Sequence, residues 1–157
     1  MGAEIERSFL LTEHPAWLAD CESRLIEQGY LALEDEAEVR VRIVDEGKEA
    51  LLTVKSGRGL SREEVTVELD PEQAEALWPL TEGRRVRKRR HLAERDGARW
   101  EIDIYGGGLE GLATAEAEFP SEEEAAALEP PDWLGRELTD DRRFDNRSLA
   151  TDGLPGG

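Results

Sequence analysis

Six segments of the chain alternate apolar and polar residues with period two, the spacing that places successive side chains on opposite faces of a β-strand. In EVRVRIV, Val39, Val41 and Ile43 form one face and Arg40 and Arg42 the other. ALLTVKSG opposes Leu52 and Val54 to Thr53 and Lys55, and EEVTVEL opposes Val65, Val67 and Leu69 to Glu64, Thr66 and Glu68. RWEIDIYG sets Trp100, Ile102 and Ile104 against Glu101, Asp103 and Tyr105. LATAEAEFP sets Ala113, Ala115, Ala117 and Phe119 against Thr114, Glu116 and Glu118, and AEIERSFL sets Ile5 apart from Glu4 and Glu6.

Helical spacing fills the gaps. HPAWLADCESRLIEQGY predicts a helix with Trp17, Leu18, Cys21 and Leu25 on one stripe, Pro15 in its first turn and Gly29 as its stop. DPEQAEALWPL opens with a capping-box pattern, SEEEAAALEPP does the same, and TDDRRFDNRSLA predicts a last helix. No repeat and no Gly/Ser/Pro linker divides the chain, so one antiparallel β-rich domain over 1–150 is expected, with helices on its outside and a flexible tail over 151–157.

Composition narrows the setting. The 157 residues are 38% hydrophobic with four Trp, enough for a core in a single domain. A formal net charge of −17 makes the molecule as a whole repel nucleic acid and anionic membranes. One cysteine, Cys21, excludes an internal disulfide and a thiolate metal cluster and suits a reducing compartment. The N-terminus carries acids where a signal peptide needs cations, and no run is long enough to span a membrane, so a cytoplasmic location is expected.

Against this acidity, GRRVRKRRH at 83–91 gathers six cations in seven positions. Its even positions include Lys88 and Arg90, and its odd positions are Arg85, Arg87 and Arg89. The odd set reads as a solvated basic edge strand that discourages aggregation, whereas Lys88 and Arg90 are the candidates for an anion. The other polar faces are also sorted, with arginines at 40 and 42 and acids at 4 and 6, 101 and 103, and 116 and 118. Converging Arg and Lys bind a polyanion through charge-assisted contacts. Converging carboxylates hold a hard divalent cation. Together these are the components of phosphoryl-transfer chemistry.

EIERSF, RVR, TVKSG, SREEVTVEL, RKRRH, WEIDIYGGGLEGLATAEAEF and WLGRELTDDRRFDNRSLA, in that order from Glu4 to about Ala150, resemble the CYTH superfamily of triphosphate tunnel metalloenzymes. The resemblance implies an α+β fold, a closed eight-stranded antiparallel β-barrel whose charged lumen is the triphosphate tunnel, with helices packed outside. It implies metal-dependent hydrolysis of a small triphosphate, foremost inorganic tripolyphosphate, with Mg²⁺ or Mn²⁺. The alternatives are a class IV adenylate cyclase acting on a nucleoside triphosphate, a thiamine triphosphatase, or a polyphosphate-binding module without turnover, and a homodimer is left open. By the same resemblance Glu4, Glu6 and Glu118 are metal ligands. Glu116, Asp103 and Glu64 are lumen acids that complete the catalytic set, and Arg40, Arg42, Lys55, Lys88 and Arg90 bind phosphate. Arg143 is expected toward the tunnel mouth. The third position of the family's E-x-E-x-K signature is Ser8 here, and Arg7 has the wrong parity to replace the lysine.

Other features carry less. GGGLEG fits a dinucleotide glycine pattern, but the alternating segment after it reads as a strand, so a loop between strands is expected. Trp78, Trp133, Tyr30 and Tyr105 read as packing residues. His91 ends the basic strand without an evident partner.

Overall fold

The period-two segments all form strands. The computed structural model describes residues 5–57 and 63–156. Its strands are β1 (Ile5–Leu10), β2 (Glu22–Glu34), β3 (Ala37–Val44), β4 (Glu49–Ser56), β5 (Glu63–Glu68), β6 (Arg85–Arg95), β7 (Ala98–Tyr105) and β8 (Ala113–Phe119). Three helices accompany them among the described residues: α1 (Pro71–Leu77), α2 (Glu122–Ala127) and α3 (Asn146–Asp152). The strands form one antiparallel sheet in the order β1-β8-β7-β6-β2-β3-β4-β5.

Closure of a barrel requires the two end strands to share a ladder. Among the described residues β1 and β5 share none, so the eight expected antiparallel strands form one sheet with β1 and β5 at its ends. Every residue of β5 is exposed.

The long helix expected over 14–30 does not form. Ala16–Asp20 make a 3-10 turn and the remainder is β2. This strand lies between β6 and β3 and buries Ile26, Gln28, Gly29 and Tyr30, so burial on both faces erases the alternation that marks its neighbours. Gly29 does not end a helix. A Cβ there would lie 2.4 Å from Thr81 Oγ1, so the strand needs glycine where the fully buried Thr81 packs onto it.

Two cores hold the sheet. On the apolar face Phe9, Leu18, Trp100, Ile102, Ala115, Phe119 and Ala125 pack together. Trp133 meets Trp100 and Trp17 edge-on, with ring centroids 5.2 and 5.1 Å away. Full burial of each large side chain here contributes roughly 2–3 kcal/mol. The alanines of β8 leave room for α2, whose first turn is capped by Ser121 accepting from Glu124 N.

The second core joins Tyr30, Val86, Tyr105, Leu109, Leu112, Leu149 and Ala150. Helix α3 therefore packs on the charged face of the sheet and not outside it. The expected last helix is divided into a 3-10 turn at Arg142–Phe144 and α3, which runs through Asp152. The basic strand β6 is likewise no edge, because it pairs with both β2 and β7. Among the described residues no helix is long and apolar enough to cross a membrane.

Candidate active site

Strand register brings the sorted charges together. Lys88 and Arg90 of β6 lie opposite Tyr105 and Asp103 of β7, and Glu101 of β7 lies opposite Glu116 of β8. Glu116 and Glu118 in turn face Ser8 and Glu6 of β1. On the other side of β6, strand β2 leads to Arg42 and Arg40 of β3, opposite Gln28 and Tyr30.

Asp103 organises the cations. Its carboxylate accepts Arg90 Nε and NH2 at 2.9 and 3.0 Å, and Lys88 Nζ lies 2.9 Å from Oδ2. Burial pushes this carboxyl up, but Lys88 and Arg90 outweigh it and hold the group well below the usual carboxylate range. Burial likewise pulls on Arg90, yet Asp103 and then Glu101, which also pairs with its guanidinium, hold it above the ordinary arginine value. For Lys88 burial dominates and brings the ammonium down to about 8 despite Asp103. Its remaining hydrogen bond runs 3.1 Å to Asn146 Oδ1, which also accepts from Tyr105 OH at 3.1 Å.

Arg40 and Arg42 extend the basic group. Arg42 Nε donates to Gln28 Oε1 at 2.8 Å, and Gln28 Nε2 donates to Tyr30 OH at 2.9 Å. Burial first, then the neighbouring Arg40 and Arg90, bring Arg42 down to about 10. Arg40 NH1 lies 3.3 Å from Glu38, but its Nε is buried without a hydrogen-bond partner. A buried unpaired donor is costly, and the hydrogen-bonding capacity of this cationic atom is unmet among the described residues.

The acids gather on β1 and β8. One carboxylate oxygen from each of Glu6, Glu116 and Glu118 lies within 4.8 Å of the other two. Three hard oxygen donors suit a divalent cation such as Mg²⁺ or Mn²⁺ better than a soft metal. Crowding shows in Glu116, which burial and then Glu6 and Glu101 push up to about 7. Glu116 thus stands in one carboxylate cluster with Glu6 and Glu118, while Glu4 lies outside the described residues.

Three expected members stand apart. Lys55 and Glu64 lie opposite each other across β4 and β5, 4.0 Å apart, with side chains 32% and 53% exposed. Arg143 is exposed and forks onto Asp141. Arg7 points away from Ser8's side of the sheet, donating to Ala125 O, Leu128 O and Glu137. His91 lies on the same apolar-side parity, opposite Ser23 and Ile102.

Gln28, Tyr30, Glu101 and Asn146 join the charged group beyond the residues expected from the sequence. The first two lie in the segment read as a helix. Glu101 shares the parity of Asp103 and was legible as its neighbour. Asn146 is 58 residues from Lys88, with no signal to join them. Tyr30 and Tyr105 are buried as packing residues should be, and their hydroxyls also enter the site. A separate cavity of 640 Å³, lined in part by Ile43, Ala50, Ala74 and Trp78, lies on the apolar side near α1.

No protein-family model matches the chain. It is 41% identical over 148 residues to an inorganic triphosphatase of Nitrosomonas europaea, covering 94% of this chain and 96% of the relative. It is 37% identical over 152 residues to an inorganic triphosphatase of Acetivibrio thermocellus, covering 96% and 94%. A crystal structure of an inorganic triphosphatase superposes with a TM-score of 0.79 at 40% identity over 99% of both chains. A Hippeastrum protein first taken for an adenylyl cyclase, with a dominant triphosphatase activity, shares the fold at a TM-score of 0.58 and 18% identity over 80% of this chain and 84% of its own. Identity of this extent along nearly the whole chain, joined to ordered motifs that converge on one face of the sheet, places this protein in the inorganic triphosphatase family of the CYTH superfamily.

Proposed function

We propose that the charged face hydrolyses inorganic tripolyphosphate to pyrophosphate and phosphate with the help of Mg²⁺ or Mn²⁺. The reading rests on family membership for triphosphate hydrolysis. For the site it rests on one observation: the carboxylates of Glu6, Glu116 and Glu118 share a face with Arg40, Arg42, Lys88 and Arg90. In this reading β1 and β5 draw together around the substrate, and the charged face becomes the lumen of a closed barrel.

Each residue has a task. Glu6, Glu116 and Glu118 would hold the divalent cation, whose chemistry is to neutralise phosphate oxygens and favour departure of the phosphoryl group. Arg40, Arg42, Lys88 and Arg90 bind the polyanion, with Arg40 Nε donating to a phosphate oxygen. Asp103 keeps Lys88 and Arg90 aimed, and Lys55 with Glu64 reaches the substrate from the exposed end of the sheet. Water attacks the terminal phosphorus in line, the bond from that phosphorus to the bridging oxygen breaks, and the bridging oxygen leaves with pyrophosphate. The proton of the water ends on the released phosphates. Positioning and charge compensation carry such a reaction, since its transition state is loose.

The test is phosphate release from tripolyphosphate, ATP and thiamine triphosphate, each with Mg²⁺ and with Mn²⁺, for the wild type and Glu6→Gln. Tripolyphosphate is expected to be the best substrate, and losing a ligand should lower the rate by about 100-fold. An undiminished rate in Glu6→Gln would overturn the metal assignment. Binding of tripolyphosphate without release under either metal would replace hydrolysis by a binding role.

A further inference from the structure

Resting on the reading of Lys88 as a phosphate ligand, we infer that Asn146 of α3 is its positioning residue: the Asn146 carboxamide oxygen ties the Lys88 ammonium to the Tyr105 hydroxyl, so the C-terminal segment aims the most deeply buried cation of the site.

The geometry is over-determined. Lys88 Nζ and Tyr105 OH both lie 3.1 Å from Asn146 Oδ1. An ammonium only donates, so the carboxamide must present its oxygen and not its nitrogen to Lys88. The ammonium has three N–H groups. Asp103 Oδ2 at 2.9 Å and Asn146 Oδ1 take two of them, with the Tyr105 ring 5.5 Å to one side. Two fixed acceptors stop the ammonium from rotating, and the third N–H is directed at whatever anion enters. Asp103 alone would leave that direction open.

The support behind Asn146 is firm. Leu149 and Ala150 of the same helix are buried against Tyr30, Val86 and Tyr105. Arg147 NH2 donates to Glu34 O at 2.8 Å and fastens α3 to β2. The charged and titratable groups acting on Lys88 are Asp103 and Tyr105 of β7, Arg90 of β6 and Arg42 of β3, and α3 adds the neutral carboxamide. A change at Asn146 therefore alters the ammonium's surroundings without altering any of these charges.

The chain has three lysines, Lys48, Lys55 and Lys88, so lysine labelled with ¹³C at Cε reports Lys88 as one of three resonances in the free, full-length protein. The experiment follows these resonances from neutral to alkaline pH in the wild type, Asn146→Ala, Asn146→Asp and Arg147→Ala. Losing the acceptor should lower the Lys88 midpoint in Asn146→Ala, and the added carboxylate should raise it in Asn146→Asp, with Lys48 and Lys55 unmoved. Arg147→Ala loosens the helix anchor without removing the bond, and should leave Lys88 near its wild-type midpoint. In turnover, Asn146→Ala should raise KM for tripolyphosphate by about tenfold, the scale of a hydrogen bond to a charged group, with a smaller change in kcat. A Lys88 midpoint identical in the wild type, Asn146→Ala and Asn146→Asp would overturn the inference, as would an equal shift in Arg147→Ala. The titration needs no substrate, so its outcome stands apart from whether the wild type hydrolyses tripolyphosphate.

Discussion

Lys88 Nζ lies 2.9 Å from Asp103 Oδ2, with the lysine side chain fully buried and the aspartate's only 8% exposed. Removing one partner of such a pair leaves an uncompensated buried charge, and here Arg90 loses the same acceptor. Asp103→Asn should therefore lower unfolding free energy by about 3–5 kcal/mol. Urea denaturation measures it, and an unchanged midpoint would show that solvent reaches the pair.

The Lys88 ammonium also sets a pH dependence. Its value is lowered to about 8, so it is charged below that pH and neutral above it. Affinity for tripolyphosphate measured without metal should fall as pH rises through about 8, and Lys88→Arg should abolish the decline. Stability has the opposite sign. Between about 8 and the ordinary lysine value the unfolded chain binds more protons at this group, so its contribution to stability rises with pH over that window. Calorimetric titration and denaturation across the range separate the two trends.

Ser8 stands opposite Glu116 where the family signature has lysine. Ser8→Lys would place an ammonium on the side of the sheet that holds Glu6, Glu116 and Glu118. One added cation near a polyanion should tighten tripolyphosphate binding by roughly fivefold, about 1 kcal/mol. Affinity measured without metal tests this, and no gain would mean that Ser8's position lies beyond reach of the substrate.

Gly29→Ala tests the packing of β2. The added methyl would meet Thr81 Oγ1 at 2.4 Å and Thr81 Cβ at 2.5 Å. Overpacking of this kind should cost about 1–3 kcal/mol. A melting temperature equal to wild type would show that the segment around Thr81 yields freely.

The sequence alone shows which residues can share a face. Alternation follows from covalent geometry, so Glu6, Arg40, Arg42, Lys88, Arg90, Asp103, Glu116 and Glu118 were legible as polar-face residues before any strand was paired. The ordered motifs were legible for the same local reason, and the triphosphatase family follows from them. Tertiary structure decided the rest. Strand β2 lost its period because consecutive residues Gln28, Gly29 and Tyr30 are buried, on both of its faces, which concealed Gln28 and Tyr30 behind a helical spacing. Helix α3 reached the charged face because Leu149 and Ala150 bury against Tyr105 and Val86, and that docking alone puts Asn146 beside Lys88. The pairing of β1 with β8 brought Glu6 to Glu116 and Glu118, a meeting across more than a hundred residues that no local pattern encodes. Parity is local to each strand, whereas the choice of neighbour is made by packing over the whole chain.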